Sequence, residues 1–129
     1  MIKYYASQQA DPGTHSLPLQ LSNEELMVSS IRVPGYDSTD TMTIQVSVCW
    51  EKPAFSDIGQ LDLMLRMGES TGKILADEEF TCYTRATSKL TFSFPCHEGD
   101  PIVFVLTARS INSRALITGP LMMEVSVSS

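Results

Sequence analysis

The chain has 129 residues, of which 43% are hydrophobic and 19% charged, proportions typical of one folded domain and not of a disordered tail. Its formal net charge of −6 at pH 7 repels a phosphate backbone, so we expect no nucleic-acid partner. The longest apolar run, residues 101–106, is far too short to cross a bilayer, and we expect no membrane insertion. We therefore predict a single domain over residues 1–129.

The predicted elements begin with a short edge strand over residues 1–5 and a turn at residues 11–13, whose Asp-Pro-Gly sequence suits a tight turn. In residues 17–21 every second side chain is a leucine, so Leu17, Leu19 and Leu21 share one face. Residues 26–33 are rich in β-branched side chains, and we interpret them as a strand. The alternative is that this strand begins with a short helical turn.

The strand around which the others are organised covers residues 41–50, where apolar and polar side chains alternate without interruption. Its apolar positions are Met42, Ile44, Val46, Val48 and Trp50. A period of two predicts a strand with one buried and one solvated face. Such a strand needs partners that bury the same apolar face.

The remaining segments supply those partners. Residues 60–67 and 73–76 form a predicted hairpin, residues 80–85 and 89–95 form a second pair, and residues 101–109 are apolar enough for burial on both faces. The last segment, residues 115–127, divides into two half-strands at Gly119 and Pro120. Eight to ten short strands with frequent turns predict an all-β fold, an antiparallel β-sandwich of the TNF/C1q-like jelly-roll type.

The motifs of dinucleotide, phosphate, zinc-protease and hydrolase sites (GxGxxG, GxxxxGK[ST], HExxH and GxSxG) do not occur, which favours a protein that is not an enzyme. Cys96 and His97 are neighbours that point to opposite faces of a strand end, so a nucleophile and its base are not predicted. The acidic run at residues 77–79 is typical of a solvated strand end, with cation binding as the alternative.

The three cysteines, Cys49, Cys82 and Cys96, are an odd number without CxxC spacing and predict free thiols in a reducing compartment. His15 and His97 also lack ligand spacing, so we expect no metal and no other cofactor. The N-terminus has no apolar core of signal-peptide length, which predicts synthesis in the cytoplasm, with release or surface exposure by a non-Sec route as the alternative.

Two regions combine hydroxyl, amide and basic side chains, at residues 83–89 and 109–114. Sugars bind to such mixtures because vicinal hydroxyls accept paired hydrogen bonds from a guanidinium group while an aromatic ring covers the C–H face. Ordinary solvated strand ends have the same composition, so both interpretations remain open. The candidate glycan ligands include Tyr83, Arg85, Ser88, Arg109 and Arg114.

From residue 41 onward the chain resembles the TNF-like fucose-binding lectin domains, such as the N-terminal domain of the Burkholderia superlectin. The resemblance lies in the order of elements: a strand ending at Trp50, a proline- and aromatic-bearing loop, the segment 74–81, a threonine-rich turn at residues 87–89, and an arginine- and serine-bearing loop before the last strand. It implies a trimer of jelly rolls that binds fucosylated glycans in clefts between protomers, without a metal.

The resemblance also implies particular ligands. Thr81 and Thr87 match hydroxyl positions of the family's site, and Lys89 stands where the family has an arginine. Asp62 stands where the family has a pocket tyrosine. The family's second arginine aligns near Asn112, so Arg109 or Arg114 replaces it only if the loop shifts.

These observations predict a lectin that binds a fucoside as a homotrimer. Outward apolar residues, including Met64 and Met122, suggest a surface that a partner covers. The alternative is a structural jelly-roll protein of the spore-surface, capsid or phage-tail type that self-assembles. That alternative explains the outward methionines equally well and needs no ligand.

Overall fold

The computed structural model describes residues 1–13 and 17–129 and contains nine strands and one short 3-10 helix. The elements in chain order are β1 (Ile2–Ala10), β2 (Leu19–Gln20), β3 (Leu26–Val33), β4 (Thr41–Glu51), β5 (Gly59–Met67), β6 (Lys73–Cys82), β7 (Arg85–Pro95), β8 (Ile102–Arg109), the 3-10 helix (Ile111–Ser113) and β9 (Leu116–Ser128).

The strands form two antiparallel sheets that pack face to face. Sheet A has the order β1-β9-β4-β7, with β2 also paired to β9, and sheet B has the order β3-β8-β5-β6. The chain crosses between the sheets repeatedly, and this strand order is that of a jelly roll. The predicted all-β antiparallel sandwich is therefore confirmed.

Strand β4 lies inside sheet A, between β9 and β7. Its five predicted apolar positions are all buried, with Trp50 only 1% exposed. They face the buried leucines of β5 and β8 in sheet B, and this single cluster forms the core between the two sheets. The period of two therefore identified the inner face of the central strand correctly.

The predicted hairpin of residues 60–67 and 73–76 is confirmed, because β5 and β6 are antiparallel neighbours. The predicted pairing of residues 80–85 with 89–95 is wrong. Strand β6 continues to Cys82 in sheet B, whereas β7 belongs to sheet A and pairs with β4. The short connection at residues 83 and 84 crosses between the two layers. Sequence proximity suggested a hairpin, but apolar residues of both strands bury better on opposite sides of the core.

Strand β9 runs without interruption from Leu116 to Ser128, so the prediction of two half-strands is wrong in part. The partner does change at the predicted point: β9 pairs with β2 before Gly119 and with β1 after Pro120. Gly119 has a φ of +87°, and a Cβ there would lie 2.8 Å from Leu17 Cδ1. Glycine is thus required at this bend.

The outer face of sheet B corrects another expectation. Met64 points to this outer face, as predicted, but it is only 4% exposed within a single chain. Its cross-strand neighbour Thr107 is buried as well, and the ion pair between Arg66 and Glu25 lies on the same side of the sheet. Met64 is therefore no evidence of a surface covered by a partner. Met122, on the outer face of sheet A, is half-buried.

Candidate functional site

The structure distributes the ten predicted glycan ligands over separate surfaces. Arg85, Thr87 and Lys89 alternate along the solvent-exposed face of β7 in sheet A. Asp62 and Arg109 lie on the outer face of sheet B, and the loop after β8 carries Asn112 and Arg114 near one end of the sandwich. Thr81 and Tyr83 are exposed where β6 ends. These residues do not form one site within the chain.

Ser88 is buried and points inward, so its assignment as a sugar ligand is wrong. Its Oγ accepts a hydrogen bond of 2.8 Å from Trp50 Nε1. A buried indole N–H needs such a partner, since desolvation without one is unfavourable. The role of Ser88 is therefore structural, and the alternation of β7 explains why it faces the core while Thr87 and Lys89 do not.

Asp62 and Arg109 are occupied with each other. Arg109 Nε donates to Asp62 Oδ2 at 3.2 Å, and Gln60 Nε2 donates to Asp62 Oδ1 at 2.8 Å. A guanidinium and a carboxylate that satisfy one another have less capacity for a ligand. Both groups are better explained as supports of the neighbouring loop than as sugar ligands.

At the end of the sandwich where β4 ends and β5 begins, a concavity of about 390 Å³ brings together residues from two loops. The β4–β5 loop contributes Phe55, Asp57 and Ile58, and the loop after β8 contributes Asn112 and Arg114. We call this concavity the end cleft.

The β4–β5 loop presents Phe55 at the tip of a tight turn. Ser56 N–H donates to Pro53 O at 3.1 Å, which closes a four-residue turn with Phe55 at its third position. As a result the Phe55 side chain is 72% exposed. An aromatic ring this exposed buries little surface in the isolated chain, so packing within the fold does not explain its presence at the turn.

The base of the same loop is held against the core. Lys52 N–H donates to Thr84 O at 3.0 Å, and the loop ends at Gly59. A Cβ at Gly59 would lie 2.8 Å from Cys82 Sγ and 2.9 Å from a carbon of Trp50, so only glycine allows this close approach. The turn that carries Phe55 is thus anchored on both sides, by Lys52 before it and by Gly59 after it.

A buried polar network orders the other loop of the cleft. Gln60 is 2% exposed, and its Oε1 accepts a hydrogen bond of 2.8 Å from Ile111 N–H. The fully buried Ser110 donates its hydroxyl to Gln60 O and accepts from Arg114 N–H at 2.8 Å. Satisfied buried networks of this kind fix a single conformation. Sequence reasoning treated Gln60 and Ser110 as ordinary polar residues, and only their burial reveals this role.

The backbone at the tip of this loop adopts an uncommon conformation. Asn112 and Ser113 have φ values of +62° and +56°, in the left-handed region. Asn112 N–H donates to Asn23 Oδ1 at 2.9 Å, which helps to hold the loop in this conformation. Consecutive left-handed non-glycine residues are sparsely populated and occur where surrounding contacts over-determine the backbone, often at functional sites.

Arg114 is the guanidinium group of the cleft. Its Nε donates to Ile111 O at 2.9 Å, and within residues 1–13 and 17–129 no carboxylate forms an ion pair with it. Arg66 and Arg109, by contrast, are each paired with an acid. Arg114 therefore keeps its terminal nitrogens for a ligand, while its position is fixed through Nε.

A second, broader depression crosses the outer face of sheet A. It consists of two adjoining concavities of about 260 and 440 Å³. The first is lined by residues that include Gln45, Lys89 and Glu124, and the second by residues that include Arg85 and Thr87. Three predicted ligands thus share one surface. None of the residues that line these two concavities is an exposed aromatic one.

The remaining candidates from the sequence lie elsewhere. His97 Nε2 donates to Asp100 O at 2.8 Å, and burial raises the pKa of the Cys96 thiol beside it in sequence. His15 lies outside the described residues.

Among the residues that the structure describes, no group of three histidines, cysteines or acids is placed to hold a metal ion. No helix in the described part of the chain has the length and hydropathy needed to cross a membrane.

Comparison with known proteins gives no family, since neither a family model nor a curated protein matches the chain. Among solved structures, the latent form of PorU from Porphyromonas gingivalis aligns with a TM-score of 0.51 and 9% identity, over 100% of this chain and 13% of PorU. This likeness supports the β-sandwich fold alone. The chain corresponds to a small part of PorU, whose activity therefore does not transfer.

Two further structures align more weakly. A structure of the disulfide-linked pili of Bacillus endospore appendages gives a TM-score of 0.46 at 10% identity, over 96% of this chain and 88% of that one. The xylan-binding domain CBM22-1 of Xyn10C from Paenibacillus barcinonensis gives 0.35 at 10% identity, over 99% and 83%. Both are β-domains, and neither likeness is close enough to indicate a function for this chain.

Proposed function

We propose that this protein binds a neutral glycan in the end cleft and acts as a carbohydrate-binding domain. The observation that carries the proposal is the exposed Phe55 ring, which shares one concavity with Asp57, Asn112 and Arg114. These residues come from two loops that are distant in sequence, and each loop is fixed by its own hydrogen bonds. The site is therefore largely formed before a ligand arrives, which reduces the entropy lost on binding.

The chemistry of the cleft suits a sugar. A pyranose has a face of C–H groups that stacks on an aromatic ring, and a rim of hydroxyls that both donate and accept hydrogen bonds. Phe55 supplies the ring, and Arg114 supplies a planar donor group with no acid attached. Asp57 accepts hydrogen bonds, and the amide of Asn112 both donates and accepts. Together they match a vicinal diol on a stacked ring.

Within the glycans, fucosides are the class that we favour. Fucose carries a methyl group where most hexoses carry a hydroxymethyl group, and Ile58 offers an apolar side chain next to Phe55 in the cleft. A methyl group against isoleucine adds buried apolar area, at roughly 25 cal/mol per Å². The resemblance to fucose-binding lectin domains, which includes the loop of Asn112 and Arg114, supports the same class.

This site differs from the one that the resemblance implies. The end cleft is formed within one chain, whereas the lectin family binds sugar between protomers. The homotrimer and the absence of enzymatic activity stay predictions.

The second candidate for sugar contacts is the outer surface of β7, because it carries hydroxyls and cations together on a shallow depression, at Arg85, Thr87 and Lys89.

The proposal is tested by titrating the protein with α-methyl fucoside, followed by NMR chemical shifts of the labelled backbone. We expect the largest shift changes at residues 55–58 and 112–114. Phe55→Ala and Arg114→Ala should each lower the affinity by about tenfold or more, because a lost stacking contact or charged hydrogen bond costs about 1.5–3 kcal/mol. Arg114→Lys should also bind weakly, since it keeps the charge but loses the planar fork.

Arg85→Ala is the matched control. Arg85 is an exposed arginine at the same end of the sandwich, and its removal should leave the affinity unchanged if the end cleft is the site. If Arg85→Ala abolishes binding and Arg114→Ala does not, the sheet A surface is the site instead. A glycan array that is negative across neutral and fucosylated sugars would overturn the function itself.

A further inference from the structure

The exposed aromatic side chains of this chain are concentrated at the end of the sandwich that holds the end cleft. Among the described phenylalanines, tyrosines and tryptophan, the two most exposed are Tyr83 at 76% and Phe55 at 72%, and both lie at this end. Phe55 belongs to the end cleft, whereas Tyr83 is not one of the residues that line it. The proposed site thus leaves Tyr83, a candidate ligand from the sequence, without a role.

Tyr83 lies in the two-residue connection between β6 and β7, beside the loop that carries Phe55. The last residue pair between β5 and β6 is Gly59 with Cys82. The next residues on the two backbones are Ile58, which lines the end cleft, and Tyr83. Because antiparallel backbones continue side by side from their last pair, Tyr83 borders the cleft on its Ile58 side.

Contacts between the two backbones hold the connection in place. Lys52 N–H donates to Thr84 O at 3.0 Å. A Cβ at Gly59 would lie 2.8 Å from Cys82 Sγ and 3.0 Å from Lys52 Cβ, so the base of the loop and the start of the connection pack without a gap. The buried Cys82 immediately precedes Tyr83 in the chain. The backbone positions that carry the two exposed rings are therefore fixed relative to one another before a ligand arrives.

Packing within the fold does not explain a tyrosine at residue 83. With 76% of its surface exposed, the side chain contributes little to the core. A connection of two residues needs only a backbone that crosses between the sheets, and a small polar side chain would serve. Within the described part of the chain, the Tyr83 hydroxyl has no hydrogen-bond partner. A ring with a free face and a free hydroxyl suits a sugar, which offers both C–H groups and hydroxyls.

We propose that this end of the sandwich binds an oligosaccharide of at least two sugar units, with the terminal sugar in the end cleft and the next sugar stacked on Tyr83. The inference rests on the proposed glycan function and deepens it, because it makes the ligand a glycan chain and not a single sugar. The second sugar is held near Tyr83 by its bond to the first, so its contact with the ring costs little further entropy of association.

The experiment compares two kinds of ligand by NMR titration: α-methyl fucoside, and a set of trisaccharides that end in fucose through different linkages. The best trisaccharide should bind about three- to tenfold more tightly, the effect of one further stacked ring. It should also shift the backbone signals of residues 82–85, which α-methyl fucoside should not. Tyr83→Ala should reduce the ratio of the two affinities to about one. Phe55→Ala should weaken both ligands.

Two further variants serve as controls. Tyr83→Phe keeps the ring and should retain most of the gain, which separates stacking from loss of the hydroxyl. Tyr5→Ala removes another exposed tyrosine, on the outer face of sheet A, and should change neither affinity. Circular dichroism verifies that each variant is folded.

The outcomes separate this inference from the function on which it rests. If α-methyl fucoside binds in the end cleft but no trisaccharide binds more tightly, or if Tyr83→Ala leaves the ratio of affinities unchanged, the second sugar position is wrong and the end cleft stands. If neither kind of ligand binds, the proposed function is overturned, and this inference with it.

Discussion

The outer faces of the two sheets are built differently: β4 of sheet A alternates apolar and polar side chains, whereas β8 of sheet B is apolar on both faces. On sheet B, Met64, Val105 and Thr107 are buried on the outer face, where the Arg66–Glu25 pair also lies. On sheet A the corresponding positions of β4 and β7 carry serine, threonine and glutamine, and they remain exposed or half-buried.

The difference shows where this chain uses its polar groups. On sheet B, Arg66 and Arg109 are each paired with an acid, Glu25 and Asp62, and these pairs support the fold. In the end cleft, Arg114 forms no ion pair with any described acid, and its terminal nitrogens are free to contact a ligand. Among the described arginines, Arg66 and Arg109 are paired with acids, whereas Arg32, Arg85 and Arg114 form no ion pair.

The largest expected effect tests the buried outer layer of sheet B. Met64→Ala should lower the free energy of unfolding by about 2–5 kcal/mol, because it leaves a cavity in a closely packed site. Met122→Ala, the same change on the outer face of sheet A, should cost about 1 kcal/mol or less, since Met122 is already partly exposed. Urea denaturation measures both values. Equal losses for the two variants would remove the distinction between the faces.

A smaller effect is expected inside sheet A. Ser88→Ala should lower the free energy of unfolding by about 1–3 kcal/mol, because Trp50 Nε1–H loses its acceptor in a buried environment. Thr91→Ala, on the exposed side of the same strand, should change it by about 0.5 kcal/mol or less. Thermal unfolding followed by tryptophan fluorescence is a suitable measurement. If Ser88→Ala lost glycan binding at unchanged stability, Ser88 would be a ligand after all.

The smallest effect concerns pH and the ion pair on sheet B. The hydrogen bonds from Arg66 lower the pKa of Glu25 below its usual value of 4.5. The stabilisation is therefore fully present above about pH 4.5 and is lost as the pH falls through the lower pKa of the folded state. Glu25→Gln should destabilise by about 1 kcal/mol at pH 7.

The melting temperatures of wild type and Glu25→Gln should then converge on acidification, whereas the exposed Glu24→Gln should follow the wild type throughout. A difference between wild type and Glu25→Gln that stays constant down to pH 3 would show that the pair contributes through packing and not through its charge.

The sequence alone determined the fold class and most strand positions, because a period of two fixes which side chains of a strand face the core. It placed β3, β4, β5 and β8 within one residue of their observed bounds, and it indicated that β8 is buried on both faces. It could not determine which strands pair, since β6 and β7 are adjacent in sequence but bury their apolar faces from opposite sheets.

Only the tertiary structure decided which polar groups are occupied and which are available. Ser88, Asp62 and Arg109 have the composition of sugar ligands, but a buried indole and an ion pair engage them. Phe55 and Arg114 become neighbours through two loops anchored by Gly59 and Gln60, and neither anchor has a sequence signature. Alternation is a local property of the chain, whereas the meeting of loops and the pairing of charges depend on contacts between distant residues.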